Sequence, residues 1–170
     1  MTDAPTGTID PRFSDSDAAA LPYAEVERLL EQAELYWLTT VRADGRPHVT
    51  PLIGVFDGGA VHFCTGLEEQ KARNLEHSDR VALTTGANTW AKGTDVVVEG
   101  TAVRVTDRPT LERLAAAYLD KYGEVWRFEV GDGVFLHSGE HAAAVFRVEP
   151  AKVLAFAKDP HGQTTYRFPG

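Results

Sequence analysis

The sequence predicts a mainly β domain of the α+β class, made of antiparallel strands with a few helices. Three observations predict it. Short β-branched and aromatic runs alternate with turn residues such as Asp44-Gly45 and Asp57-Gly58-Gly59. A longer run over 94–106 contains Val96, Val97 and Val98 in succession, which suits a strand and not a helix. Helical spacing is confined to segments lying between groups of strands, which disfavours a doubly wound parallel sheet.

Each element follows in order. Residues 1–20 are rich in Asp, Pro, Thr, Ser and Gly and are expected to form a flexible N-terminal arm, with one domain over 21–168. Behind Pro22, the residues Leu21, Ala24, Val26, Leu29, Leu30 and Ala33 recur at helical spacing and predict an amphipathic helix. Strands are expected over 37–42, 46–56 and 60–64 as a meander with tight turns. The stretch TGLEEQKARNL then predicts a helix with Thr65 as N-cap and Glu68 at N3. Strands over 80–85 and 94–106 come next, and Gly100 marks a bulge or a close approach of backbone. A second amphipathic helix over 110–122 starts from Asp107 and Pro109, and two strands over 142–148 and 152–157 flank Glu149-Pro150.

Bulk properties exclude several classes of function. The 170 residues suit one domain, and a hydrophobic share of 43% is ordinary for a globular chain. A formal charge of −8 argues against nucleic acid or an anionic membrane as partner, since both are bound by basic surfaces. The single cysteine, Cys64, excludes an internal disulfide and reads as a buried structural thiol. With no secretory pattern and no long apolar run, a cytoplasmic protein is expected. His137 and His141 stand four apart, but Gly139 between them makes a helical metal pair a poor reading, and no metal site is expected. Glu68 with Glu69, and Glu129 with Asp132, read as solvated carboxylates. No nucleophile-elbow, Walker or dinucleotide-binding pattern occurs.

One position does not fit a plain surface helix. At 3.6 residues per turn Leu67, Lys71, Asn74 and Leu75 share a face, so Lys71 falls among apolar positions. Either its stem lies along the edge of the core with its ammonium in water, or an anion lies beside it. The strand over 46–56 bears on this. Val49, Pro51, Ile53 and Val55 are expected to face the interior, and His48, Thr50, Leu52 and Gly54 the other side. A two-residue turn at Asp44-Gly45 would set Thr39 opposite Thr50, adding Trp37, Thr39 and Val41 to that second face. A turn centred on Asp57-Gly58 would set Thr50 opposite Thr65. The second face would then gather hydroxyls near Lys71, which suits a phosphate as well as a covered protein surface.

The runs GRPHVTPL, TGLEEQKARNLEHSDRVAL, NTWAKGTDVVVEGTAVRV and QTTYRF, in this order, resemble the pyridoxamine 5′-phosphate oxidase-like flavin-binding split barrels, in particular the flavin- or deazaflavin-dependent oxidoreductases among them. The resemblance implies a six-stranded antiparallel split β-barrel with a few peripheral helices. It implies a homodimer with FMN, or alternatively coenzyme F420, in a groove between subunits. His48, Val49, Thr50 and Pro51 match the strand beside the cofactor ring, and Thr65, Gln70 and Lys71 match the phosphate-binding positions. Asn74 would brace that site. Trp90 matches a loop that approaches the ring, and Gln163, Tyr166 and Arg167 match a segment that reaches over the cofactor. Where true pyridoxamine phosphate oxidases carry an arginine before the lysine, this chain has Gln70, and their C-terminal tryptophan and arginine segment is replaced by TTYRFPG. Vitamin B6 oxidation is therefore not expected. The expected function is hydride transfer between the cofactor and a small conjugated substrate, with no catalytic acid or base required of the protein. The alternative is a non-catalytic binder of flavin, haem or tetrapyrrole on the same barrel.

Overall fold

In the computed structural model, which describes residues 5–139 and 141–169, strands make up most of the regular structure and pair antiparallel throughout. The strands are β1 (Thr8–Ile9), β2 (Tyr36–Val41), β3 (Pro47–Leu52), β4 (Gly54–Asp57), β5 (Ala60–Gly66), β6 (Arg80–Thr85), β7 (Thr94–Val105), β8 (Glu129–Val130), β9 (Phe135–His137), β10 (His141–Lys158) and β11 (His161–Arg167). The helices are α1 (Tyr23–Gln32), α2 (Gln70–Leu75) and α3 (Arg108–Tyr122). One path through the sheet runs β1-β11-β10-β7-β6-β2-β3, while β5 joins the first part of β10 and carries β4 on its other edge.

This is a split barrel, and the split has a local cause. The run expected as one strand over 46–56 breaks at Ile53: β3 pairs only with β2, and β4 only with β5. The chain, and not a hydrogen-bonded ladder, carries the ring past that point. At the break, the Gly54 N–H donates to Tyr122 Oη at 3.1 Å, and the Gly54 carbonyl accepts from Tyr122 Oη at 2.8 Å and Lys121 Nζ at 2.9 Å. The end of α3 thus satisfies backbone groups that a neighbouring strand would otherwise bond. Counting β3 and β4 as one interrupted strand, the barrel has the six strands implied by the resemblance: β2, β3/β4, β5, β6, β7 and β10. The remaining strands extend it.

Two apolar clusters hold the domain together. The barrel interior packs Tyr36, Leu38, Phe63, Leu83, Val98, Val148 and Val153 beneath Val26 and Leu30 of α1. The second cluster lies under α3, where Leu111, Leu114 and Tyr118 meet Val55, Phe135 and Val145. Full burial of each leucine stabilises by about 1.5–3 kcal/mol, so α3 is fixed by this face. Its start is the one expected: Asp107 caps it by accepting from the Thr110 N–H at 3.0 Å. The expected close approach at Gly100 is also present. A Cβ there would lie 2.1 Å from the Glu149 carbonyl oxygen, beside the register shift between Pro150 and Lys152.

Two expectations about faces are corrected. The first hairpin closes through a three-residue loop, with the Arg42 N–H on the Arg46 carbonyl at 2.9 Å and the Gly45 N–H on the Arg42 carbonyl at 2.8 Å. Thr50 therefore faces Leu38, and Val49 faces Thr39. One residue of slip reverses β3 relative to β2, so Val49 and Pro51, expected inside, lie outside. Tyr36, Leu38 and Thr40 point inward with His48, Thr50 and Leu52, while Trp37 at 49% and Val49 at 53% exposure lie outside with Pro51. The second hairpin sets Asp57 opposite Ala60, so Thr50 does not pair with Thr65.

Over the described residues, the N-terminal arm lies along β11. Thr8 faces Thr165, the Asp10 N–H donates to the Gln163 carbonyl at 2.9 Å, and the Asp15 N–H donates to the His161 carbonyl at 2.8 Å. Among the described residues no helix is long and apolar enough to cross a membrane.

Candidate functional site

The helix bearing Lys71 begins later than its capping pattern predicts. Its N-cap is Glu69, without a side-chain capping bond, and Thr65 lies before it as the penultimate residue of β5. The Gly66 amide explains this. It donates to Glu69 Oε1 at 2.9 Å, which folds residues 66–69 into a turn before helical bonding starts. Thr65 is 2% exposed, sits opposite Ala144, and bonds the Gly66 carbonyl at 3.3 Å, so it is a buried strand residue and not a cap.

This displacement leaves Lys71 on the inward side. It is 8% exposed, and its ammonium contacts the Glu69 carboxylate. Burial would raise the Glu69 carboxyl, but bonds from Lys71 and Gly66 outweigh it and hold the group below its ordinary range. A short polar chain anchors α2 to the barrel. Gln70 Nε2 donates to Asn74 Oδ1 at 2.7 Å, Asn74 Nδ2 donates to Thr40 Oγ1 at 2.8 Å, and Thr40 Oγ1 reaches the His48 carbonyl at 3.4 Å. Asn74 and Gln70 thus lie in one chain of bonds that ties α2 to β2.

His48, whose carbonyl ends this chain of bonds, and Thr50 stand two residues apart on the inward side of β3, an edge strand. His48 Nδ1 and Thr50 Oγ1 are buried and have no partner; with His62 Nδ1 they are the three such side-chain atoms among the described residues. A buried polar atom without a partner costs about 1–3 kcal/mol, so two on one strand mark a place where a polar ligand would bond. Burial lowers the His48 pKa, and the charges of Arg42 and Lys71 lower it further. The imidazole is thereby favoured in its neutral form, with one ring nitrogen free to donate or accept. The arrangement offers one buried ammonium, a hydroxyl and an imidazole, which is a donor set for an oxyanion.

Other predicted residues lie elsewhere. Val49 and Pro51 point outward beside Trp37. Trp90 is 92% exposed on the loop between β6 and β7, where it lines an open groove of about 1340 Å³ with Trp37, Phe156 and Lys158. This groove shares no lining residue with the Lys71 cluster. Its walls offer aromatic surface, and its Lys158 ammonium is already paired with Asp95 and bonded to the Ala87 carbonyl, so Lys71 is the better guide to an anion site. Gln163 bonds the N-terminal segment, its N–H donating to Ser14 Oγ at 3.0 Å, and Arg167 is exposed opposite Lys152. Tyr166 is corrected: it is fully buried against Tyr23 and bonds the Leu21 carbonyl, because alternation along β11 turns it into the core. Cys64 is structural, as expected, with burial pushing its thiol up to about 12. His137 and His141 face each other across β9 and β10, and His137 is bonded to the Val125 carbonyl and stacked on Trp126. Sequence reasoning missed Glu69 and Thr40. The signal for Glu69 was the Gly66-to-Glu69 spacing, and that for Thr40 depended on the length of the hairpin loop.

Comparisons with known proteins follow this geometry. A family model described as pyridoxamine 5′-phosphate oxidase matches residues 23–157. No curated protein matches the sequence. Among solved structures, a heme binding protein from Mycobacterium smegmatis superposes with a TM-score of 0.68 at 19% identity, over 88% of this chain and 60% of that one. An FAD binding protein from Mycobacterium smegmatis gives 0.56 at 20% identity, over 88% and 98%. An F420 reductase gives 0.56 at 24% identity, over 75% and 94%.

Proposed function

Because the chain belongs to the pyridoxamine 5′-phosphate oxidase family, we infer that it binds a phosphate-bearing flavin-type cofactor, FMN or F420, and works as an oxidoreductase on a small conjugated substrate. The observation that carries this reading is the buried Lys71 ammonium, within electrostatic range of His48, together with the unpartnered His48 Nδ1 and Thr50 Oγ1 on one strand. Lys71, His48 and Thr50 would hold the phosphate-bearing part, with Gln70, Asn74 and Thr40 keeping α2 in place. Such a cofactor supplies the hydride chemistry, while the protein binds, orients and excludes water. The chain's own residues supply one cation at this point, because Gln70 is neutral and bonded to Asn74.

The outward sheet face supports a homodimer. Registers across β11, β10, β7, β6, β2 and β3 align Thr165, Leu154, Val97, Thr84, Trp37 and Pro51 in one row. An apolar row with exposed Trp37 and Val49 suits a second copy of the chain. Val49, Pro51 and Trp90 would then meet the partner or its cofactor.

Haem binding without catalysis is the second reading, supported by the fold shared with a haem-binding protein and by a neutral His48 able to ligate iron. An absorption spectrum of the purified protein, with mass spectrometry of any released ligand and titration with FMN, F420 and haem, separates the two. Binding of FMN or F420 supports the leading reading. Binding of haem alone replaces it.

A further inference from the structure

Glu69 occupies the position that decides how much negative charge the Lys71 site accepts. One carboxylate oxygen meets the Lys71 ammonium, and the other accepts the Gly66 N–H at 2.9 Å, so a side chain that is otherwise half exposed is tied over a buried cation. Cations are scarce around it. Gln70 is neutral, Arg73 turns outward to Glu68 at 3.2 Å, and Arg42 lies within electrostatic range of His48. Lys71 and Glu69 cancel, so the net positive charge left near a ligand is no more than that of Arg42.

A phosphate monoester carries between about 1.5 and 2 negative charges at neutral pH. A phosphodiester carries one. We propose that Glu69 is a specificity-determining residue that tunes the site to a singly charged phosphodiester and against a phosphate monoester; this rests on the cofactor reading above and names the phosphate chemistry of that same site. A diester can share the Lys71 ammonium, which has three donors, and take the free His48 and Thr50 atoms without facing Glu69 with a second charge. A monoester sets that second charge against a carboxylate held in place by backbone, and like charges so juxtaposed are strongly disfavoured. The consequence is a preference for cofactors joined through a phosphodiester, as F420 is, over FMN.

The test uses ligands that differ only in that charge. The wild-type protein and Glu69→Gln are titrated, by fluorescence or calorimetry, with FMN and its phosphate methyl ester, and with the same two esters on the deazaflavin ring. Wild type is expected to bind the methyl ester at least about tenfold tighter than the monoester on whichever ring it accepts. Glu69→Gln is expected to remove most of that ratio by strengthening monoester binding. Glu69→Ala, checked for folding by thermal melting, should do the same. A wild-type preference for the monoester, or a ratio unchanged in both variants, overturns the role of Glu69 while leaving the cofactor reading intact. Failure of all four ligands to bind wild type overturns both.

Discussion

Asn74 donates its side-chain amide to Thr40 Oγ1 at 2.8 Å, and both residues are buried, so a six-residue helix is pinned to the second strand by one side-chain bond. Removing one partner leaves the other without its bond inside the domain, at a cost of about 1–3 kcal/mol. Asn74→Ala and Thr40→Ala are each expected to lower stability by that amount. The double variant should lose less than the sum, by about 0.5–3 kcal/mol, in a urea-unfolding cycle. Strict additivity would show that the bond does not hold α2.

Lys71→Ala separates an anion site from a surface lysine. The variant should lose about 10- to 100-fold in affinity for a phosphorylated cofactor, as loss of a charge-assisted bond implies. Its affinity for riboflavin, which has no phosphate, should barely change. Equal losses for both ligands would make Lys71 a residue whose stem covers the core.

The Gly100 site admits no side chain. With a Cβ placed 2.1 Å from the Glu149 carbonyl oxygen, Gly100→Ala must displace the β7/β10 pairing. Destabilisation of about 3 kcal/mol or more is expected, read as a lowered melting temperature or as insoluble expression.

Burial lowers the His62 pKa to about 4 from an ordinary 6.5. The unfolded chain therefore holds a proton that the folded chain lacks between these values, so stability is intact above about pH 6.5 and falls as pH drops toward 4. The window is worth about 3 kcal/mol. In urea unfolding as a function of pH, His62→Leu should flatten this part of the profile. An unchanged slope would assign acid sensitivity to the carboxylates alone.

Trp37→Glu tests the outward sheet face. A charge placed in the apolar row of Pro51, Thr84 and Val97 should shift sedimentation toward monomer. Monomer stability should move by no more than about 0.5 kcal/mol, since Trp37 is half exposed in the single chain. A dimer that survives this change would move the interface elsewhere.

The sequence carries the class of fold and most of its elements, because hydrophobic period and turn residues act locally. The β-branched run in β7, the Asp107 cap of α3 and the close approach at Gly100 could all be read without coordinates. It also marked Lys71 as misplaced among apolar positions. Which hydroxyl joins the polar chain beside it depends on contacts between segments distant in sequence. One extra loop residue between Arg42 and Arg46 exchanged Thr39 for Thr40, and the Gly66 bond to Glu69 delayed α2 and brought a carboxylate onto the lysine. Both depend on single hydrogen bonds that compete with regular turns and caps, and side-chain periodicity carries no information about which of the competing bonds forms.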